Sequence, residues 1–292
     1  MPELPELTAL AAWLDGQLAG ATVASLQFPT AFALKNKDVS PDIVAGRTLI
    51  RVVRRGKFLV FDTDPDGGGP ALVANFGKSG WVRVSGKLPE VKDAPEAVSA
   101  AKPAAGPIMA RIGLVKDGTE HGVDLMDYGR WKGLAVHIVH DPEVVPGIAE
   151  LGPEALDPEF TLEDFARLLT SKQRIKDIIR DQKKIAGIGN GYSDEILHAA
   201  KLSPLAPGAS LDTGSVERLY TAMRQVLSDA AGELTGLAPD KLKAAKKASM
   251  AVHGRNGEDC PVCGDTIQEL AYVGTSFQYC PGCQTGGQVL AR

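Results

Sequence analysis

Two groups of residues stand out in this chain by type and spacing. The first is at the start, Met1-Pro2-Glu3-Leu4-Pro5-Glu6. Removal of Met1 would leave Pro2 as a terminal secondary amine with Glu3 beside it. An α-amino group titrates near pH ~8, so a usable fraction is neutral and nucleophilic at physiological pH. A lysine amine would need a large environmental shift to match that. The same residues also suit the first turn of a helix, where proline and acids are both favoured. The second group is Cys260-Pro261-Val262-Cys263 and Cys280-Pro281-Gly282-Cys283, two CxxC pairs with sixteen residues between them. Four thiolates at this spacing form the closed tetrahedral site of a structural Zn²⁺ ion. The alternatives are a redox CxxC or four unrelated buried thiols; a single CxxC would be ambiguous, and two at this separation favour zinc.

A third stretch, residues 181–195 (DQKKIAGIGNGYSDE), places Gly187, Gly189, Asn190 and Gly191 between helical segments. Backbone amides at such a turn, next to a helix N-terminus, suit a phosphate oxygen, and the Asn190 side chain adds a donor. Lys172, Arg174, Lys176, Arg180, Lys183 and Lys184 precede the turn. The plainer reading is a helix hairpin with a glycine cap.

These groups need elements to position them. Residues 5–18 carry Leu7, Leu10, Ala11, Leu14 and Leu18 at helical spacing and should stop at Gly20. Short β-type runs follow at 22–28, 48–53, 58–62, 71–75, 80–85, 108–115, 122–126 and 133–139, several joined by glycine-bearing turns, as in an antiparallel sandwich or barrel. Residues 87–107, rich in Ala and Pro, are expected to be a flexible inserted loop. From about 151 the pattern turns helical. Thr161-Leu162-Glu163-Asp164 resembles a capping box, and helices are expected near 161–170, 173–182, 191–199 and 215–231. The expected fold is α+β: an antiparallel β-sandwich with a leading helix (1–150), a helical domain (151–250) and a cysteine module (251–292).

Bulk properties agree with a folded chain of about two domains at 292 residues. No apolar run is long enough to span a membrane and no signal-peptide pattern opens the chain, so a cytoplasmic, intracellular protein without membrane contact is expected. The net charge of −4 weighs against casual nucleic-acid readings, although local clusters can still form a basic face.

Four separated landmarks, MPELPE, RRGKFLVF, DQKKIAGIGNGYSDEIL and CPVCG…YCPGCQ, together resemble the formamidopyrimidine-DNA glycosylase/endonuclease VIII family in order and spacing. LGPEAL at 151–156 and VHGRNGEDC at 252–260 look like further family segments. The resemblance implies a β-sandwich, a helix–two-turn–helix domain and a zinc finger, with double-stranded DNA containing a damaged base or abasic site in the cleft. It implies a bifunctional DNA glycosylase/AP lyase of base excision repair, acting as a monomer on a flipped-out nucleotide. Residue by residue, Pro2 would be the nucleophile attacking C1′ and Glu3 the acid/base group. Lys57 at a hairpin tip would contact phosphate near the lesion, and Asn190 would hold another phosphate.

Several positions depart from the family pattern. Its finger carries an arginine five residues before the third cysteine; here that residue is Thr275, and no Lys or Arg lies between Cys260 and Cys283. Asn75-Phe76-Gly77-Lys78 puts a cation where an apolar void-filler is usual. Asp127-Tyr128-Gly129-Arg130-Trp131 puts Gly129 in place of a filling arginine and Trp131 in place of the wedge phenylalanine. Trp131 is either such a wedge or a core tryptophan on a sandwich strand. A family glutamate is Thr8 here. Lys78, Arg130, Trp131, Lys176 and Arg255 are the further candidate DNA contacts. Lys241, Lys243, Lys246, Lys247, His253 and Arg255 form either one face of a DNA cleft or a solvated helix face. The competing function is a damaged-DNA-binding protein of the same fold with little turnover, suggested by the acidic balance and the finger without cations.

Overall fold

The computed structural model describes residues 1–36, 38–64, 69–88, 107–272 and 275–291. The expected loop at 87–107 therefore falls almost wholly outside the described residues. The chain divides into two compact units: residues 1–2, 6–149 and 235–242 form the first, and residues 3–5, 150–234 and 243–292 the second.

Among the described residues the first unit is built on eight strands. These are β1 (Thr22–Gln27), β2 (Arg51–Arg55), β3 (Phe58–Asp62), β4 (Ala71–Asn75), β5 (Gly80–Ser85), β6 (Ile108–Lys116), β7 (Thr119–Asp127) and β8 (Ala135–Val139). They form two four-stranded antiparallel sheets, in the orders β1-β6-β7-β5 and β2-β3-β4-β8, the expected sandwich. Leu59, Phe61, Leu72, Val73, Ile112, Leu114, Val123 and Leu125 are buried in it. Helix α1 (Leu4–Leu18) buries Leu7, Leu10, Leu14 and Leu18 at the predicted spacing, and the chain turns at Gly20, whose φ of 87° disfavours a side chain. The β2–β3 hairpin pairs Arg55 with Phe58, leaving Gly56 (φ 54°) and Lys57 as its two-residue tip. The expected run at 48–53 starts as a strand only at Arg51; Thr48 instead makes an isolated bridge to Thr22.

The second unit contains α2 (Leu162–Leu168), α3 (Ile175–Arg180), α4 (Asn190–Ala199) and α5 (Thr213–Leu234). Thr161 and Asp164 close the capping box: the Thr161 hydroxyl accepts from the Asp164 amide and the Asp164 carboxylate accepts from the Thr161 amide, each at 3.2 Å. Leu219, Met223 and Leu227 of α5 meet Phe165, Ile175, Ile178, Ile179 and Ile196 in one apolar core. Helix α6 (Pro239–Ser249) is foreshadowed in the sequence only by the solvated-helix reading of its lysines, because Leu242 is its one large apolar residue and no apolar period marks it. It begins in the first unit and ends in the second. The cysteine module has β9 (Gln268–Tyr272) paired with β10 (Thr275–Tyr279), then the short α7 (Pro281–Gln284). Among the described residues no helix is long and apolar enough to cross a membrane.

Candidate active site and metal centre

Glu3 has the most elaborate setting of the candidate residues. Its carboxylate is buried and accepts backbone N–H groups from Gly189 at 2.6 Å, Gly191 at 2.9 Å and Tyr192 at 3.3 Å. These amides lie at the N-terminus of α4, where the helix dipole adds to their attraction for an anion. The Lys246 ammonium is 3.6 Å away. The Leu4 amide donates to the Gly187 carbonyl at 2.9 Å, fixing the neighbouring residue to the same turn. Glycine is required here by close approach. A Cβ on Gly189 would stand 2.6 Å from Glu3 Cδ, and one on Gly191 would stand 3.0 Å from Glu3 Oε1. On Gly187, which has φ 94°, it would stand 2.8 Å from Leu4 Cβ. The sequence leaves this turn open between a phosphate-binding turn and a glycine-capped helix hairpin; three of its amides hold the chain's own carboxylate. Asn190 opens α4, half-buried, and its Oδ1 accepts from the Arg180 guanidinium at 3.0 Å.

Further along α4, two buried acids tie other segments to this helix. Asp194 accepts from Lys176 Nζ, from the Gln278 amide at 3.2 Å and, through its other oxygen, lies 2.8 Å from His253 Nδ1. Glu195 accepts three consecutive amides, Ala251, Val252 and His253, at 2.7, 3.0 and 2.8 Å. Lys176 corrects the sequence reading. It is fully buried, paired with Asp194, bonded to the Ser276 carbonyl at 3.2 Å and 4.6 Å from the Phe277 ring centre, so its charge is turned inward and not toward a phosphate. Burial holds its ammonium below the usual lysine range, against the opposing pull of Asp194. Arg255 is half-buried and pairs with Glu258 at 2.8 Å. Sequence reasoning gave no role to Asp194 or Glu195; two adjacent acids directly before the apolar Ile196-Leu197 were the available signal.

In the first unit, Lys57 sits half-buried at its hairpin tip, as expected, and Lys78 is exposed. Asp127, fully buried, organises the loop after β7 by accepting the amides of Gly129, Gly133 and Leu134 at 2.8, 2.7 and 3.0 Å. Lys132 Nζ adds bonds to the carbonyls of Asp127 and Gly129. This loop presents Trp131 at 84% exposure, which removes the core reading of that residue, with the Arg130 guanidinium 5.7 Å from its ring centre. The Tyr128 amide donates to the Ser79 carbonyl, and a Cβ on Gly77 would stand 2.7 Å from the Gly133 carbonyl carbon. Lys78 and the Arg130–Trp131 pair thus occupy adjoining loops. At Gly129 a Cβ would meet Asp127 Oδ1, Ser79 Oγ and the Trp131 carbonyl at 3.1 Å each, so the packing leaves little room for the arginine expected by resemblance.

The four cysteine sulfurs converge. Cys260 and Cys283 are 3.8 Å apart and Cys263 and Cys280 3.3 Å, close to the separation of about 3.8 Å that tetrahedral Zn–S bonds of ~2.3 Å give. Burial pushes the Cys280 thiol up to about 11, so a bound cation is what would keep that sulfur ionised. These residues suit a metal ion. His198 of α4, absent from the sequence reading because it lies outside the CxxC spacing, joins them: its Nε2 is 3.3 Å from Cys260 Sγ. The donor atoms of His198, Cys260, Cys280 and Cys283 all lie within 4.8 Å of one another. The hairpin residue Thr275 pairs with Tyr272 across β9 and β10.

Comparison with known proteins gives matches along most of the chain. Residues 1–120 match the model for the formamidopyrimidine-DNA glycosylase N-terminal domain, and residues 151–237 the model for the formamidopyrimidine-DNA glycosylase H2TH domain. The formamidopyrimidine-DNA glycosylase of Thermus thermophilus is 33% identical over 98% of this chain and 100% of its own length. An uncharacterized formamidopyrimidine-DNA glycosylase-like protein of Mycobacterium tuberculosis is 51% identical over 48% of this chain and 89% of its own length. Among solved structures, the MutM (Fpg) protein of Thermus thermophilus aligns with a TM-score of 0.76 at 29% identity, covering 97% of this chain and 98% of that one. Lactococcus lactis Fpg in complex with abasic-site DNA aligns with a TM-score of 0.80 at 22% identity, covering 97% and 99%.

Proposed function

Since this chain belongs to the formamidopyrimidine-DNA glycosylase family, we propose that Pro2, freed by removal of Met1, is the nucleophile of a DNA glycosylase and AP lyase, with Glu3 as its acid/base partner. The activity belongs to base excision repair. The Pro2 nitrogen attacks C1′ of a damaged nucleoside, the glycosidic bond breaks and the base leaves with its electron pair. The C1′–O4′ bond then breaks, O4′ takes a proton as the sugar ring opens, and C1′ becomes the Schiff base carbon; this acidifies C2′, and loss of that proton expels the 3′ phosphate and cuts the strand. At an abasic site the same amine condenses with the open-chain aldehyde. A proton must be delivered to the leaving base and removed at C2′, and a carboxylate beside the amine is placed for that work.

The observation that carries this reading is the seat of Glu3. The residue next to Pro2 is locked onto the α4 N-terminus by three amides, with glycines at 187, 189 and 191 making room for it and for Leu4. A helix-starting acid would have no need of that. The anchored carboxylate fixes the backbone that bears the amine, which limits the motions open to the nucleophile.

The DNA partner is a duplex containing a damaged base or an abasic site. Lys57, Lys78, Arg130 and Arg255 supply charge for its phosphates, and Asn190 supplies an amide. Trp131, exposed on a loop braced by Asp127, supplies a flat ring for the space left by an extruded nucleotide. Cys260, Cys263, Cys280 and Cys283 would hold one structural Zn²⁺, whose contribution is folding energy for a module with few apolar residues. The functional regions are the catalytic sandwich (1–150), the helix–two-turn–helix region (151–250) and the finger (251–292), in an intracellular monomer that joins the nucleoid when bound to DNA. Borohydride trapping on an abasic duplex tests the reading: a covalent adduct that depends on Pro2 is expected. Binding without an adduct would leave a damaged-DNA-binding protein.

A further inference from the structure

The metal centre contains one donor more than a tetrahedral ion needs. Five side chains converge, and they are not equivalent. Cys260, Cys280 and His198 are buried, Cys283 is half-buried and Cys263 is exposed. Two four-donor sets can be drawn from them. One is the four cysteines; the other replaces Cys263 by His198 and keeps Cys260, Cys280 and Cys283. The sets share three sulfurs and differ only in whether the fourth donor comes from the exposed knuckle or from α4.

We propose that His198 and Cys263 are alternative fourth ligands of the bound metal, so that the centre keeps its ion when the exposed thiolate is lost. With all four cysteines bound, the His198 Nε2–H donates to the Cys260 sulfur at 3.3 Å, a bond that holds α4 against the finger. With Cys263 gone, the histidine carries its proton on Nδ1 instead, and the Nε2 lone pair takes the vacant position to give a Cys₃His site. Both sets are ordinary for structural zinc. The asymmetry has a chemical logic, because susceptibility to oxidation follows thiolate character and exposure. Cys263 is the sulfur that oxidants and alkylating agents reach first, and the reserve ligand is buried on a helix that does not depend on the knuckle for its position.

This inference rests on the metal reading given above, and the test separates the two. Single alanine variants at 260, 263, 280 and 283, His198→Ala, and the Cys263→Ala/His198→Ala pair are purified with zinc, and metal content is measured per folded chain. Cobalt-loaded wild type and Cys263→Ala are then compared by their thiolate-to-metal charge-transfer absorption. Wild type, His198→Ala and Cys263→Ala should each hold a full equivalent of metal. The alanine variants at 260, 280 and 283, and the pair, should lose it. In Cys263→Ala the charge-transfer intensity should fall by about a quarter, as four thiolates become three. A wild type without metal would refute the metal reading itself. A wild type with metal, beside a Cys263→Ala protein that loses it, fails to fold or shows no change of ligand set, would overturn the reserve-ligand proposal alone.

Discussion

Gly189→Ala is the sharpest perturbation of the Glu3 seat, because the nearest atoms its methyl would meet all belong to Glu3. Gly189 has φ −125° and ψ −155°, a conformation open to any residue, so alanine adds a methyl group without backbone strain. That methyl would sit 2.6 Å from Glu3 Cδ and 2.9 Å from Glu3 Oε1. Carbon atoms prefer about 3.5–4.0 Å, so the carboxylate must retreat by about 1 Å. The bonds from the Gly189 and Gly191 amides, now 2.6 and 2.9 Å, would then be stretched beyond useful length. Each such bond to a charged group contributes about 1.5–3 kcal/mol, and a displacement of about 1 Å beside a reacting centre can cost about 100-fold in rate. Single-turnover borohydride trapping on an abasic duplex should slow by about two orders of magnitude. Adding Glu3→Asp, which shortens the side chain by one methylene, should recover part of the loss. A Gly189→Ala protein that traps DNA at the wild-type rate would refute the claim that this seat positions the nucleophile.

Other perturbations separate contact with DNA from support of the fold. Trp131→Ala should leave the melting temperature unchanged, since the ring is 84% exposed, while weakening binding to an abasic duplex by about tenfold, the range of one lost stack. Lys176→Met should do the opposite: it removes the buried ammonium facing Asp194, leaving that carboxylate with His253 and the Gln278 amide, and should cost about 3–5 kcal/mol in a denaturant titration without altering the salt dependence of DNA binding. Thr275→Arg restores a cation to a finger that has none between Cys260 and Cys283, so affinity should rise and the slope of log K against log salt should steepen by about 0.9.

These contrasts also mark what a sequence can reveal. Local periodicity and turn chemistry were sufficient for α1, the hairpins and the Thr161 capping box, because each depends on residues a few positions apart. The pairing of Glu3 with Gly189 spans most of the chain, and the glycines alone fit a phosphate-binding turn and a capped helix hairpin equally. Only the folded structure shows that the amides are already occupied. Lys176 was misread for a related reason: it follows Lys172 and Arg174 in a basic run, yet its position on α3 turns it toward Asp194 and Phe277. His198 escaped notice because metal-ligand spacing in sequence is recognised within a knuckle, and this donor comes from a helix, 62 positions before Cys260. For Trp131 the sequence leaves core and wedge open, and its exposure on the loop organised by Asp127 removes the core reading alone.

In the proposed reaction the amine of Pro2 does the chemistry. Purified protein, with loss of Met1 verified by mass, should form a borohydride-stable covalent adduct with an abasic duplex, and peptide mapping should place the DNA on Pro2. The adduct should disappear in Pro2→Gly while duplex binding persists. An adduct mapped to a lysine, or no adduct from correctly trimmed protein that still binds the duplex, would contradict the account.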